Sequence, residues 1–160
     1  MALNMEPSSS SQTIDCIGKC NYKLKCDHLD KVTDNIKNTL EDKEGVKIFK
    51  EYIKENSTKE FYDCVELYET CDEYLKTSGK KEHQVKSRIK TVMEKVKKLD
   101  GVAGLNLALL KRMNEIESRT DWKNEAFDIL SEIARCCLDH LRSIHESFKR
   151  YMAKPCSSIK

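Results

Sequence analysis

Proline occurs twice in this chain, at Pro7 and Pro155, and the long span between them contains none. A proline inside a helix removes a hydrogen bond and clashes with the preceding turn, so no residue in that span forces a helix to end. Helix-period apolar spacing fills it. Val32, Ile36 and Leu40 step by four. Val46, Phe49 and Ile53 step by three and four, with Gly45 just ahead of them as an expected break. Phe61, Cys64, Val65, Tyr68, Cys71 and Leu75 continue the pattern, followed by Val85, Ile89, Val92, Met93 and Val96, then Leu109, Leu110, Met113 and Ile116. The longest stripe holds Trp122, Ala126, Phe127, Leu130, Ile133, Ala134, Cys137, Leu138 and Leu141, and Ile144, Phe148, Tyr151 and Met152 close the set. No run alternates with the period of two that a strand requires. The expected class is all-α: a multi-helix bundle of about seven to nine helices with short connections.

Polar and glycine-bearing stretches punctuate the stripes at 55–58, 77–81 and 99–104. Ser57 or Thr58 is placed to cap a helix beginning near Lys59, and Asp121 to cap the long Trp122 segment. Residues 1–28 read as a flexible Ser- and Cys-containing arm, 29–153 as the helical domain, and 154–160 as a tail.

The 29 basic and 27 acidic side chains leave a net charge of +2. Signs interleave, as in Lys43-Glu44, Lys54-Glu55, Lys59-Glu60 and Lys81-Glu82, which is how helices present solvated faces. Phosphate neutralisation on nucleic acid needs a basic stripe instead, so nucleic-acid binding is not expected. No stretch reaches the roughly 20 apolar residues of a membrane span, and residues 1–12 lack the apolar core of a secretory signal. The eight cysteines are therefore read as reduced cytosolic thiols, with Cys64 and Cys137 at core positions.

Cys16, Cys20, Cys26 and His28 form C-x3-C-x5-C-x-H, four soft ligands in a short arm. The usual zinc signature is a tighter C-x2-C pair with a second pair at a distance, so incidental thiols are the favoured reading and a metal or redox module the minor one. His140 and His145 are five apart, a spacing that does not share a helix face. Gly101 and Gly104 lack the Lys-Ser or Lys-Thr of a phosphate loop, and no Gly-x-Ser-x-Gly elbow occurs. No cofactor, metal or active site is expected.

Three stretches resemble the regulator of G-protein signalling (RGS) domain, including the version ahead of the kinase domain in G-protein-coupled receptor kinases. Leu40-Glu41-Asp42-Lys43-Glu44-Gly45-Val46-Lys47-Ile48-Phe49-Lys50-Glu51-Tyr52-Ile53 is similar to the family's opening pattern. Glu60-Phe61-Tyr62-x-x-x-Glu66-x-Tyr68 is similar to its Glu-Phe-Trp-x-x-x-Glu-x-Tyr helix, with Tyr62 in place of tryptophan. Glu146-Ser147-Phe148-Lys149-Arg150-Tyr151-Met152 resembles its Asp-Ser-Tyr-x-Arg-Phe-Leu close, and Leu105-Asn106-Leu107 falls where members carry an apolar-Asn-apolar loop. Together these run from about residue 30 to 153, and the long helix 125–141 is closer to the receptor-kinase version.

The resemblance implies a monomeric domain, with no active site of its own, that docks on the switch segments of a heterotrimeric G-protein α-subunit. By holding the switches near their transition-state geometry it would accelerate GTP hydrolysis on the partner. The implied contacts are Ser57 and Thr58 in the first loop, Asn106 and Leu107 in the second, and Glu146, Ser147 and Arg150 at a closing turn. Asn106 reads equally as a helix cap, and Arg150 also as a helix-end cation. The first loop departs from the family: it is about three residues short, and Thr58 stands where strong accelerators carry an asparagine. Thr58 cannot offer an amide donor and acceptor together, so acceleration is less expected than docking. An RGS-fold adaptor binding another protein is the alternative. A cytoplasmic location is expected, with peripheral plasma-membrane attachment as the variant if Cys16, Cys20 or Cys26 is lipidated.

Overall fold

The structure, a computed structural model, describes residues 26–77, 81–99 and 101–153. Cys16, Cys20, most of the arm and the tail lie outside the described residues. Among the described residues seven α-helices follow in order: α1 Cys26–Thr33, α2 Ile36–Glu41, α3 Lys43–Asn56, α4 Lys59–Lys76, α5 Glu82–Lys97, α6 Leu107–Asn114 and α7 Trp122–Ala153, with a 3-10 turn Glu115–Ser118 between the last two. No strand occurs among the described residues, and the chain is all-α as its periodicity predicts. None of these helices is long and apolar enough to cross a membrane.

Contacts group the chain into two compact units, one of residues up to Thr58 together with those from Arg142 onward, the other Lys59–Leu141. In the first unit, α1, α2 and α3 pack with the last three turns of α7. Its core is Val32, Ile36, Leu40, Ile48, Phe49, Ile53, Phe148 and Met152. Asn35 caps α2 by accepting the Asn38 N–H at 2.9 Å, and Asp42 caps α3 by accepting the Gly45 N–H at 2.9 Å. The break expected at Gly45 therefore falls three residues earlier, where the capping carboxylate is. Gly45 lies inside the first turn of α3 for a different reason. A Cβ there would come within 2.6 Å of the Thr39 carbonyl oxygen and 2.5 Å of a Val32 methyl, so glycine permits α3 to approach α2.

The second unit packs α4, α5, α6 and residues 122–141 of α7. Cys64, Val65, Leu67 and Cys71 of α4, Val92 and Val96 of α5, Leu109 and Met113 of α6, and Ile129, Ile133 and Cys137 of α7 form its core. Arg112 ties α6 to α7 through Glu125 at 3.0 Å and Glu132 at 2.9 Å. The buried stripe of α7 follows the expected one at Ala126, Leu130, Ile133, Cys137 and Leu141, but Ile129 is also fully buried and Phe127 is 54% exposed. The contact line runs through 126, 129, 130, 133 and 137, and Phe127 lies off it. Thiols at 64, 71 and 137 act as small apolar side chains. Burial pushes the Cys71 thiol up to about 12, and the Cys64 side chain and burial together raise that of Cys137.

Candidate protein-docking site

The first and third stretches that carry the resemblance meet in the first unit. Phe49 and Tyr52 are three apart on α3, and Phe148 and Tyr151 three apart on α7, so each pair presents one face. Their rings interlock: Phe49–Phe148 centroids are 4.9 Å apart, Tyr52–Phe148 5.4 Å and Tyr52–Tyr151 5.0 Å. Tyr52 and Tyr151 remain half-buried, at the edge of the stack. Burial raises the Tyr52 hydroxyl above its usual range, and the nearby positive charge of Arg150 opposes that shift. Arg150 is exposed in the last turn of α7, with a guanidinium nitrogen 3.4 Å from the Ser147 hydroxyl, a long and weak contact. Glu146 is exposed one residue before.

Glu146, Ser147 and Arg150 do not form the closing turn that the resemblance implies. They lie within the unbroken α7, because residues 122–153 contain neither glycine nor proline to end it. Ser57 ends α3 in extended conformation with its N–H donating to the Ile53 carbonyl, and exposed Thr58 directly precedes α4. Glu55 and Asn56, expected in the loop, complete α3, with the Asn56 amide donating to the Tyr52 carbonyl at 3.0 Å. Only Ser57 and Thr58 connect the two helices. His28, the last residue of the thiol-rich pattern, bonds Asp42 at 3.0 Å.

Asn106 and Leu107 belong to the second unit. The segment before them is anchored by buried Val102 and Leu105, whose N–H groups donate to Leu99 and Val102 carbonyls at 3.1 Å. Gly104 holds φ +92 with its Cα pressed toward the Cys136 sulfur, so that a Cβ would sit 2.5 Å from it. A side chain at 104 would meet both conformational strain and a clash. Asn106 accepts the Leu109 N–H at 3.1 Å and is the N-cap of α6. Capping uses one lone pair of Oδ1, which leaves the amide donors and the second lone pair for a partner. Leu107, the first residue of α6, is 83% exposed. The second stretch of the resemblance starts α4 in the same unit, where Phe61 stacks on His140 at 4.9 Å and Glu60 bonds the same imidazole at 3.1 Å.

Asn106→Ala is expected to destabilise the protein by about 1 kcal/mol through the lost cap, and Asn106→Asp to be close to neutral. Urea denaturation of both variants checks this, and equal losses would remove capping as the reason.

Sequence reasoning missed Thr39 and His145, both buried. The Thr39 hydroxyl lies 2.6 Å from the Val32 carbonyl and 2.7 Å from His145 Nε2. Its one proton goes to the carbonyl, so the imidazole donates, which fixes the Nε2–H tautomer. The signal was present: Leu141, His145, Phe148 and Met152 step by four, three and four along one face. Among the described residues no group of three His, Cys, Asp or Glu side chains is placed to hold a metal. No protein-family model, curated protein or solved structure matches this chain.

Proposed function

We propose that this domain binds the α-subunit of a heterotrimeric G protein at its switch segments, acting as a docking module with no chemistry of its own. What supports this is the ring stack of Phe49, Tyr52, Phe148 and Tyr151. It joins two segments separated by about a hundred residues whose motifs resemble one family, and exposed Glu146 and Arg150 lie on the same turns of α7. Asn106 and Leu107, which the resemblance also implies as contacts, are exposed within the Lys59–Leu141 unit. Leu107, 83% exposed at a helix start, offers apolar surface that a partner would desolvate.

Docking is favoured over acceleration. A two-residue connection at Ser57 and Thr58 offers a hydroxyl where an amide would orient a switch glutamine, so the partner's hydrolysis is expected to rise little. The same observation keeps an adaptor function as the second reading.

Binding to a Gα subunit carrying GDP and aluminium fluoride, compared with GDP alone, tests the proposal. Tighter binding to the fluoride state is expected, weakened about tenfold or more by Arg150→Ala, the size of one hot-spot loss. Asn106→Asp keeps the cap and so reports contact alone. Equal or absent binding in the two states would sink switch recognition, and single-turnover GTP hydrolysis then measures any acceleration.

A further inference from the structure

The geometry points to a second docking surface, in the Lys59–Leu141 unit: a groove between α5 and α6 that takes an acidic amphipathic helix of another protein. Charge singles the region out. Residues 81–98 carry Lys81, Lys86, Arg88, Lys90, Lys95, Lys97 and Lys98 against only Glu82 and Glu94, in a chain whose net charge is +2. After Lys81-Glu82, the interleaving of signs gives way to an excess of lysine and arginine.

The basic residues are not equivalent. Arg88 is committed to its own unit, lying 4.5 Å over the Tyr74 ring and bonding the Thr77 hydroxyl at 2.7 Å. Lys86 and Lys90, one turn apart on the opposite flank of α5, line a groove of about 100 Å³ whose other walls are Ile89, Met93, Met113, Asn114 and Ile116. Lys97 continues that flank at helical spacing, with its ammonium group 3.4 Å from Glu94 on the same flank. Both groove lysines also interact within the chain, so an incoming carboxylate would share or exchange those contacts.

The floor decides the class of occupant. Ile89, Met93, Met113 and Ile116 are each less than a tenth exposed, so the apolar surface lies at the bottom of a depression. A bilayer cannot follow that concavity, whereas one side chain projecting from a helix can. Methionine's flexible, polarisable thioether suits a floor that must adapt to an incoming side chain. The four-residue spacing of Lys86 and Lys90 matches carboxylates one turn apart on a docked helix, flanking its apolar anchor. The surface shares no residue with the proposed Gα site, so the two proposals stand or fall separately.

A fluorescent synthetic helix bearing leucine anchors and glutamates at i, i+4, and a second peptide with those glutamates replaced by lysine, are titrated against the full chain. Binding of the acidic peptide alone is expected, weakened by added salt and by about tenfold or more in Lys86→Glu/Lys90→Glu. Exposed Lys90→Gln is the milder variant if the double change perturbs folding by circular dichroism, and it should weaken binding in the same direction. Undiminished binding by these variants, equal binding of the two peptides, or no binding overturns the inference. Lysine-dependent co-sedimentation with phosphatidylserine vesicles, without peptide binding, overturns it in favour of a membrane surface.

Discussion

Phe148→Ala is expected to destabilise the protein by about 3–5 kcal/mol, the range for deleting a fully buried aromatic ring. Phe148 has no exposed surface and touches the rings of Phe49, Tyr52 and His145, the last at a centroid distance of 5.7 Å. Each aromatic pair adds about 0.5–1.5 kcal/mol beyond the area it buries, so one truncation removes several favourable contacts and leaves a cavity. Against a typical total stability of about 5–15 kcal/mol, such a loss lowers the urea midpoint steeply. Tyr151→Ala, at the half-exposed edge of the same stack, should cost clearly less. A Phe148→Ala loss below about 1 kcal/mol would mean that the stack does not hold the unit together.

Acidification is expected to remove stability through His145. Burial pushes its imidazole down to about 4, with Lys149 and Arg142 lowering it further and Glu146 opposing them. The unfolded chain has an ordinary imidazole near 6.5. Between these values the unfolded state binds the extra proton and the folded state does not, so stability rises with pH across the window. The contribution is fully present above about pH 6.5 and is lost as pH falls from there through about 4. Its size is on the order of 3 kcal/mol, because each tenfold difference in proton affinity between the two states is worth about 1.36 kcal/mol. His145→Gln should lack this slope, and the difference between its stability and that of the native chain, followed from pH 7 to pH 4, isolates the effect. Parallel curves for the two proteins would refute it. The same side chain donates to the Thr39 hydroxyl, which links α2 to the α1 carbonyl of Val32, so protonation loads a junction of three helices.

The helical class and most connections were legible in residue order alone, because two local rules govern them. Proline is confined to the ends, and apolar side chains recur every three or four residues. Local capping was legible in part: Asn106 before an apolar run is a recognisable helix start, and the cap is made. Where the local signal was read against the wrong cause, it failed. Gly45 is a place of close approach to Thr39 rather than a break, and Asp42 does the capping.

By itself the sequence determined that this chain is helical and roughly where its helices are joined. Only the tertiary structure decided which apolar residues of α7 are buried. That Ile129 is buried and Phe127 exposed at the margins of the stripe is set by the neighbours packed against the helix, and periodicity leaves it open. The tertiary structure also decided that Tyr52 of α3 lies beside Arg150 of α7, and that Lys86 and Lys90 rim a groove floored from α6. Those pairings depend on residues far apart in the chain, and no local spacing encodes them.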